Sequence, residues 1–314
     1  LLSIIAHNNA GVNIFEQLVT KATRLERLAV TFDQLWPLSN EVASLIEPTN
    51  SMRLFWELSK LSFQRHLTYR TAALAGLLTN LFFGLLRAAV LSGLYGSRSE
   101  VASISIEAAI TYTGLAQAII AYLSIFGWYE IMGSVYRGDV ASDLLKPLPY
   151  FTFWLAQDLG RALANLLLRG VPIMLLYALI FEITIPQPAG QSLAFAITLL
   201  LSWLVSFAWR FLVNLAAFWI PNAEGIGRLA FGLSWVMSGF FMPLRFFPDW
   251  FVRLCQLTPF PAMINTVIEV YLGLLAGPAL MLALLSQLFW FGLLVAAGQL
   301  VFRAGVRRLV IQGG

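Results

Sequence analysis

The chain has 314 residues, 59% hydrophobic and only 11% charged, with a mean hydropathy of +0.77. A soluble domain carries about 25% charged residues, so the balance excludes an ordinary soluble domain and indicates an all-α, polytopic membrane protein. The net charge of +4 says little about nucleic acid in so apolar a chain, and no nucleic-acid partner is expected. The lone cysteine, Cys255, cannot form an intrachain disulfide, and His7 and His66 lie far apart, so no metal site is expected.

The chain begins at Leu1 rather than methionine, which reads as a fragment, a processed chain or an unusual start codon. Its first residues lack the basic, apolar, small-residue order of a signal peptide. Residues 1–51 form a cytosolic extension. Within it Phe15, Leu18, Ala22, Leu25, Ala29, Phe32 and Trp36 alternate three-and-four spacing, an amphipathic helix with a coiled-coil-like seam. That seam suits a partner, the membrane or its own chain. Pro48, Thr49, Asn50 and Ser51 mark a boundary, and residues 52–314 read as the transmembrane domain. A second amphipathic helix, 53–67, carries Arg53, Glu57, Lys60 and Gln64 on one face and lies in the membrane interface.

About six spans follow: 71–95, 108–132, 166–185, 193–218, 228–242 and 278–302. Each is near the roughly 20 residues that cross about 30 Å of hydrocarbon, although the fifth is short. Basic residues set orientation. Eleven fall on one side (Arg53, Lys60, Arg65, Arg70, Arg137, Lys146, Arg161, Arg228, Arg303, Arg307 and Arg308) against three on the other (Arg98, Arg245 and Arg253). Both termini and the long polar loop 136–154 are therefore expected in the cytosol. The outer connection 240–273 is too apolar for a simple loop and is cut by Pro243, Pro248, Pro259 and Pro261. It reads as short helices dipping into the outer leaflet, with Phe246, Phe247, Trp250 and Phe251 at the interface.

Three features are candidates for function. In the first span Ala72, Gly76, Asn80, Gly84 and Ala88 make a small-residue stripe, suited to a subunit interface or to packing within the chain. Arg87 and Arg210 lie inside spans, where charge is costly and marks a pathway or a buried pair. Glu182 is at the right depth to pair with Arg87; otherwise the arginines snorkel or meet an anionic group on a substrate. No acidic residue is expected mid-span, which counts against a proton-coupled carrier. The chain has no GxxxxGK[ST] phosphate loop, no HExxH and no GxSxG, so it is not expected to hydrolyse ATP or act as an enzyme.

Three stretches carry a family resemblance: GDVASDLLKPLPY (138–150), GFFMPLRFFPDWFVRLCQLTPF (239–260) and the closing RAGVRRLVIQGG. With the order of parts, they resemble a type 2 ABC exporter permease over residues 52–314. Members usually start near the interfacial helix, so residues 1–51 depart from the pattern.

The resemblance implies two six-span subunits, identical or sister, set in lipid in a bacterial cytoplasmic membrane above two ATPase subunits. No cofactor is implied in this chain; ATP and Mg belong to the partner ATPase. A coupling helix at 139–146 would dock on the ATPase. Asp139 or Ser142 would cap it, Leu144 and Leu145 anchor it, Asp143 and Lys146 set register by charge, and Pro147 stops it. Reversing the charge of Asp143 or Lys146 is expected to uncouple transport and leave the chain folded. The leading reading is an exporter permease for a small or amphiphilic compound. The alternatives are an ion-coupled carrier or membrane-embedded enzyme, which a polar cluster inside the membrane would favour, and a structural anchor.

Overall fold

The computed structural model describes residues 48–186, 189–220 and 222–308. The seam through Phe15–Trp36 and the closing Gly313 and Gly314 fall outside them. Among the described residues the chain is helical apart from one two-stranded hairpin.

Helix α1 (Pro48–Thr68) lies at the polar-loop end of the molecule and runs unbroken through the boundary expected at residue 51. Its Ser62 hydroxyl donates to the Gln157 carbonyl at 2.6 Å, and Ser59 and Ser62 are buried. They face Gly160 of α6 (Tyr150–Asn165), where a Cβ would collide with the Ser59 carbonyl and lie 2.6 Å from the Phe63 amide nitrogen. Small residues bring two backbones together here. Gly160→Leu cannot be relieved by a rotamer change, because the obstacles are backbone. It is expected to destabilise the fold by at least ~1–3 kcal/mol and to release α1, measured as a lower melting temperature and faster proteolysis within α1.

Helix α2 (Arg70–Tyr95) crosses to the far end and stops at Gly96, whose φ of 56° ends the helix. A tight hairpin joins β1 (Glu100–Val101) to β2 (Ile104–Ser105). Its turn residues Ala102 and Ser103 have φ of 48° and 61°, the positive values that a two-residue turn needs. Helix α3 (Ile106–Leu123) starts where Ser105 Oγ accepts the Ala108 amide at 3.2 Å and stops at Ser124, which is left-handed (φ 52°). The second span is therefore shorter than 108–132. Helix α3 is buried on all sides, unlike every other membrane-length helix.

The third membrane-length helix runs Tyr150–Ile180, well before residue 166: α6 continues through a π turn (Leu166–Gly170) into α7 (Val171–Ile180). Pro172 explains the turn. It has no amide and its ring clashes with the carbonyl four residues back, so the helix widens, and the Val171 amide bonds to the Leu166 carbonyl. Helix α8 (Ala189–Asn214) returns and ends in a 3₁₀ turn (Leu215–Phe218).

The expected fifth span is α9 (Glu224–Met237), whose 14 residues span about 21 Å, short of a bilayer. It ends before Gly239, whose φ is 80°. Among the described residues five helices are long and apolar enough to cross: α2, α3, Tyr150–Ile180, Ala189–Phe218 and α12 (Gly277–Val306).

Between α9 and α12 the chain folds inward. Helix α10 (Asp249–Gln256) keeps Trp250 exposed, while Phe260 packs edge-on against Trp209 of α8 with ring centroids 5.2 Å apart. Met263, Ile264, Val267 and Ile268 are buried in the main core with α3 and α8; the last two lie on α11 (Asn265–Tyr271). Buried polar atoms hold the hairpin: Asn265 Oδ1 accepts from Tyr112 Oη (3.1 Å) and the Leu244 amide (3.0 Å), and Arg245 pairs with Glu269 at 2.6 Å.

Candidate functional site

The polar loop folds as two short helices. α4 (Glu130–Arg137) stops at Gly138 (φ 78°), and α5 (Val140–Leu144) follows. The latter is shorter than 139–146. Asp139 stands at its N-cap without a capping bond and instead pairs with Arg137 at 2.8 Å, while Ser142 Oγ donates to the Asp139 carbonyl at 2.9 Å.

Asp143 is buried. Its carboxylate accepts from Ser134 Oγ at 2.6 Å and from Lys146 Nζ at 2.5 Å, and that ammonium lies 3.8 Å from the Phe153 ring centroid. These bonds tie α5 to α4 and to the residues after it, so reversing Asp143 is expected to disturb the loop's own fold as well as its coupling. Leu144 packs into the chain's own cluster, and Pro147 lines a small cleft with Leu54 and Leu58 of α1. Leu145 is 51% exposed and Tyr136 72% exposed. They are the large apolar side chains that the loop leaves uncovered.

Arg210 leads to a cluster that the apolar runs conceal. Its Nη1 and Nη2 donate to the two carboxylate oxygens of Asp158 at 2.9 and 2.8 Å. Arg161 pairs with the same carboxylate at 2.7 Å, and Trp203 Nε1 donates to it at 2.8 Å. Asp158 and Arg210 are fully enclosed. Arg161 also reaches Ser124 Oγ, and Asn214 Nδ2 bridges the Arg210 and Trp128 carbonyls at 2.7 Å each. The Met132 amide donates to Asn214 Oδ1 at 3.1 Å. One network thus ties α6 to α8, to the end of α3 and to the start of the loop.

Several expectations change. An acidic residue does lie inside a membrane-length helix, because α6 begins at Tyr150. Arg161, counted with the loop, is buried in that helix. Arg87 does not pair with Glu182. It donates to the Phe240 carbonyl at 2.9 Å and lies 3.7 Å from that ring's centroid, while Glu182 is exposed beyond α7 and has no ion pair among the described residues.

Within the chain, Gly76, Asn80 and Gly84 of the small-residue stripe meet neighbouring helices, while Ala72 is exposed. Gly76 meets Arg169, Asn80 Nδ2 points at the Gln117 carbonyl (3.4 Å), and Gly84 makes room for Tyr177. Asp158 and Arg169 are absent from the candidates drawn from the sequence. Their signal was charge: Arg169 already lies inside the expected span 166–185, whereas Asp158 precedes that span and enters a membrane-length helix only because α6 begins at Tyr150.

Membrane-length helices around a buried core, joined by a polar loop, define a polytopic membrane protein. The chain belongs to the ABC-2 transporter family: the family model described as "ABC-2 family transporter protein" matches residues 85–313. It is a membrane permease component of an ABC transporter, a family of non-catalytic transmembrane subunits. No curated protein matches the chain.

Proposed function

We propose that the chain is the permease subunit of an ATP-driven exporter in a bacterial cytoplasmic membrane, with the polar loop and both termini in the cytosol. It works as a dimer, with itself or a sister permease, on a small or amphiphilic substrate. The observation that carries this reading is the loop's uncovered apolar surface: Leu145 and Tyr136 stand exposed on two short helices that Asp143 braces against each other through Ser134. An exposed apolar surface on a braced loop suits docking into a partner. ATP binding closes the partner ATPases and displaces the loop. The push passes through α5 to α6, and the Asp158–Arg210 pair carries α8 along.

The cluster does not favour an ion-coupled carrier. A proton relay needs a carboxylate that can be reached and neutralised, whereas both oxygens of Asp158 are taken by guanidinium and indole donors. The test is purification of the chain from its native membrane in mild detergent. An ATPase with a phosphate-binding loop should co-purify, with one or two kinds of permease. Recovery of the chain alone, under conditions that keep other membrane complexes whole, would reject ATP coupling.

A further inference from the structure

Arg169 sits on the π turn that Pro172 imposes, and the turn aims it across at α2. Its Nη2 donates to the Gly76 carbonyl at 3.4 Å, a long bond, and the missing side chain at Gly76 makes the space: a Cβ there would lie 2.6 Å from Arg169 Cζ. Its Nε is shielded from solvent and has no partner. Among the described residues no carboxylate pairs with it. The other buried arginines differ: Arg161 and Arg210 share Asp158, and Arg87 rests on the Phe240 carbonyl and ring. A second donor without a protein partner, Gln117 Nε2, lies in the same seam under Gly84, with Gln117 only 1% exposed. Both atoms are donors and call for an oxygen acceptor.

The surface beside this contact is apolar: at helical spacing from Gly76, Ala72, Thr79 and Phe83 share its side of α2 and are exposed. Gly76 is six residues along α2 from Arg70, about 9 Å, a depth at which an arginine draws a headgroup inward by thinning the leaflet. Arg65 and Arg70, exposed where α1 meets α2, raise the local concentration of anionic lipid. A planar guanidinium takes two phosphate oxygens at once.

We infer that the groove between α2 and the π turn is a binding site for an anionic phospholipid of the loop-side leaflet, its phosphate on Arg169 and an acyl chain along α2 over Thr79 and Phe83. This goes beyond the transport reading and does not depend on it.

The test places the full chain in nanodiscs of equal phosphatidylglycerol and phosphatidylcholine, re-extracts it gently and weighs the retained lipid by native mass spectrometry. Wild type is expected to keep the anionic lipid at least fivefold over the zwitterionic one. Arg169→Gln is expected to lose that preference, and Arg169→Lys, which keeps the charge and the fold, to weaken it. No preference in wild type overturns the site. So does a preference that persists in Arg169→Lys at full strength and vanishes in the Arg65→Gln, Arg70→Gln double variant.

Discussion

Asp158→Asn is expected to destabilise the folded state severely. The change leaves Arg210, fully enclosed, and Arg161, 6% exposed, facing a neutral amide. Removing one member of a buried ion pair costs about 3–5 kcal/mol, because the remaining charge is left uncompensated. Two guanidiniums share this one carboxylate, so the upper end applies. A drop of ten degrees or more in the melting temperature in detergent, with aggregation by size exclusion, is the expected readout. A variant that melts within two degrees of wild type would show that the cluster carries no structural weight. Replacing Asp158, Arg161 and Arg210 together by apolar residues of similar volume separates stability from transport. Buried ion clusters exchanged whole are often neutral or stabilising. If that triple variant folds and transports, the charges serve packing alone; if it folds and does not transport, they couple α6 to α8.

Leu145→Asp is expected to do the opposite: transport falls by tenfold or more while the melting temperature stays within a degree of wild type. Leu145 is exposed and holds nothing in its own chain, whereas a carboxylate at the centre of an apolar contact must be desolvated to dock. ATPase activity of the assembled complex should lose its response to substrate. Asp143→Lys is the contrasting control, expected to lower both stability and transport because it breaks the bonds to Ser134 and Lys146. Full transport by Leu145→Asp would sink the docking surface.

The membrane class, the interfacial helix and the inward-folded hairpin were legible because they rest on local signals: charge deficit, helical spacing, and prolines inside an apolar run. The start of α6 was not legible. Asp158 and Arg161 look like loop residues until Arg210, on another helix, is brought against them, and a hydropathy reading has no access to that partner. The fifth span failed for a related reason: its apolar residues run on past Gly239, but the backbone turns there. The Gly76, Asn80 and Gly84 stripe suggested a close approach of helices, and within the chain its glycines make room for side chains. Spacing cannot say whose backbone approaches, and Tyr177 and Arg169 of the same chain fill it. In the loop, paired leucines between a cap and a proline marked a short helix, yet only the fold separates Leu145, which faces out, from Leu144, which faces in.

Helix α3 has the lowest hydropathy of the five membrane-length helices, 1.3, and carries Thr111, Tyr112, Thr113 and Gln117 buried against its neighbours. The threonine hydroxyls bond carbonyls of their own helix, but alone in hydrocarbon Tyr112 and Gln117 would have no partners, so lipid gives α3 little reason to remain where it is. During synthesis it is best delivered as a hairpin with α2, which supplies Asn80 to its backbone at once. Its seat is complete only when Gly239 and Asn265, translated more than a hundred residues later, reach Tyr112. Until then the growing chain holds a half-solvated helix inside the bilayer, and truncations that stop short of the hairpin should be cleared by membrane quality control rather than accumulate.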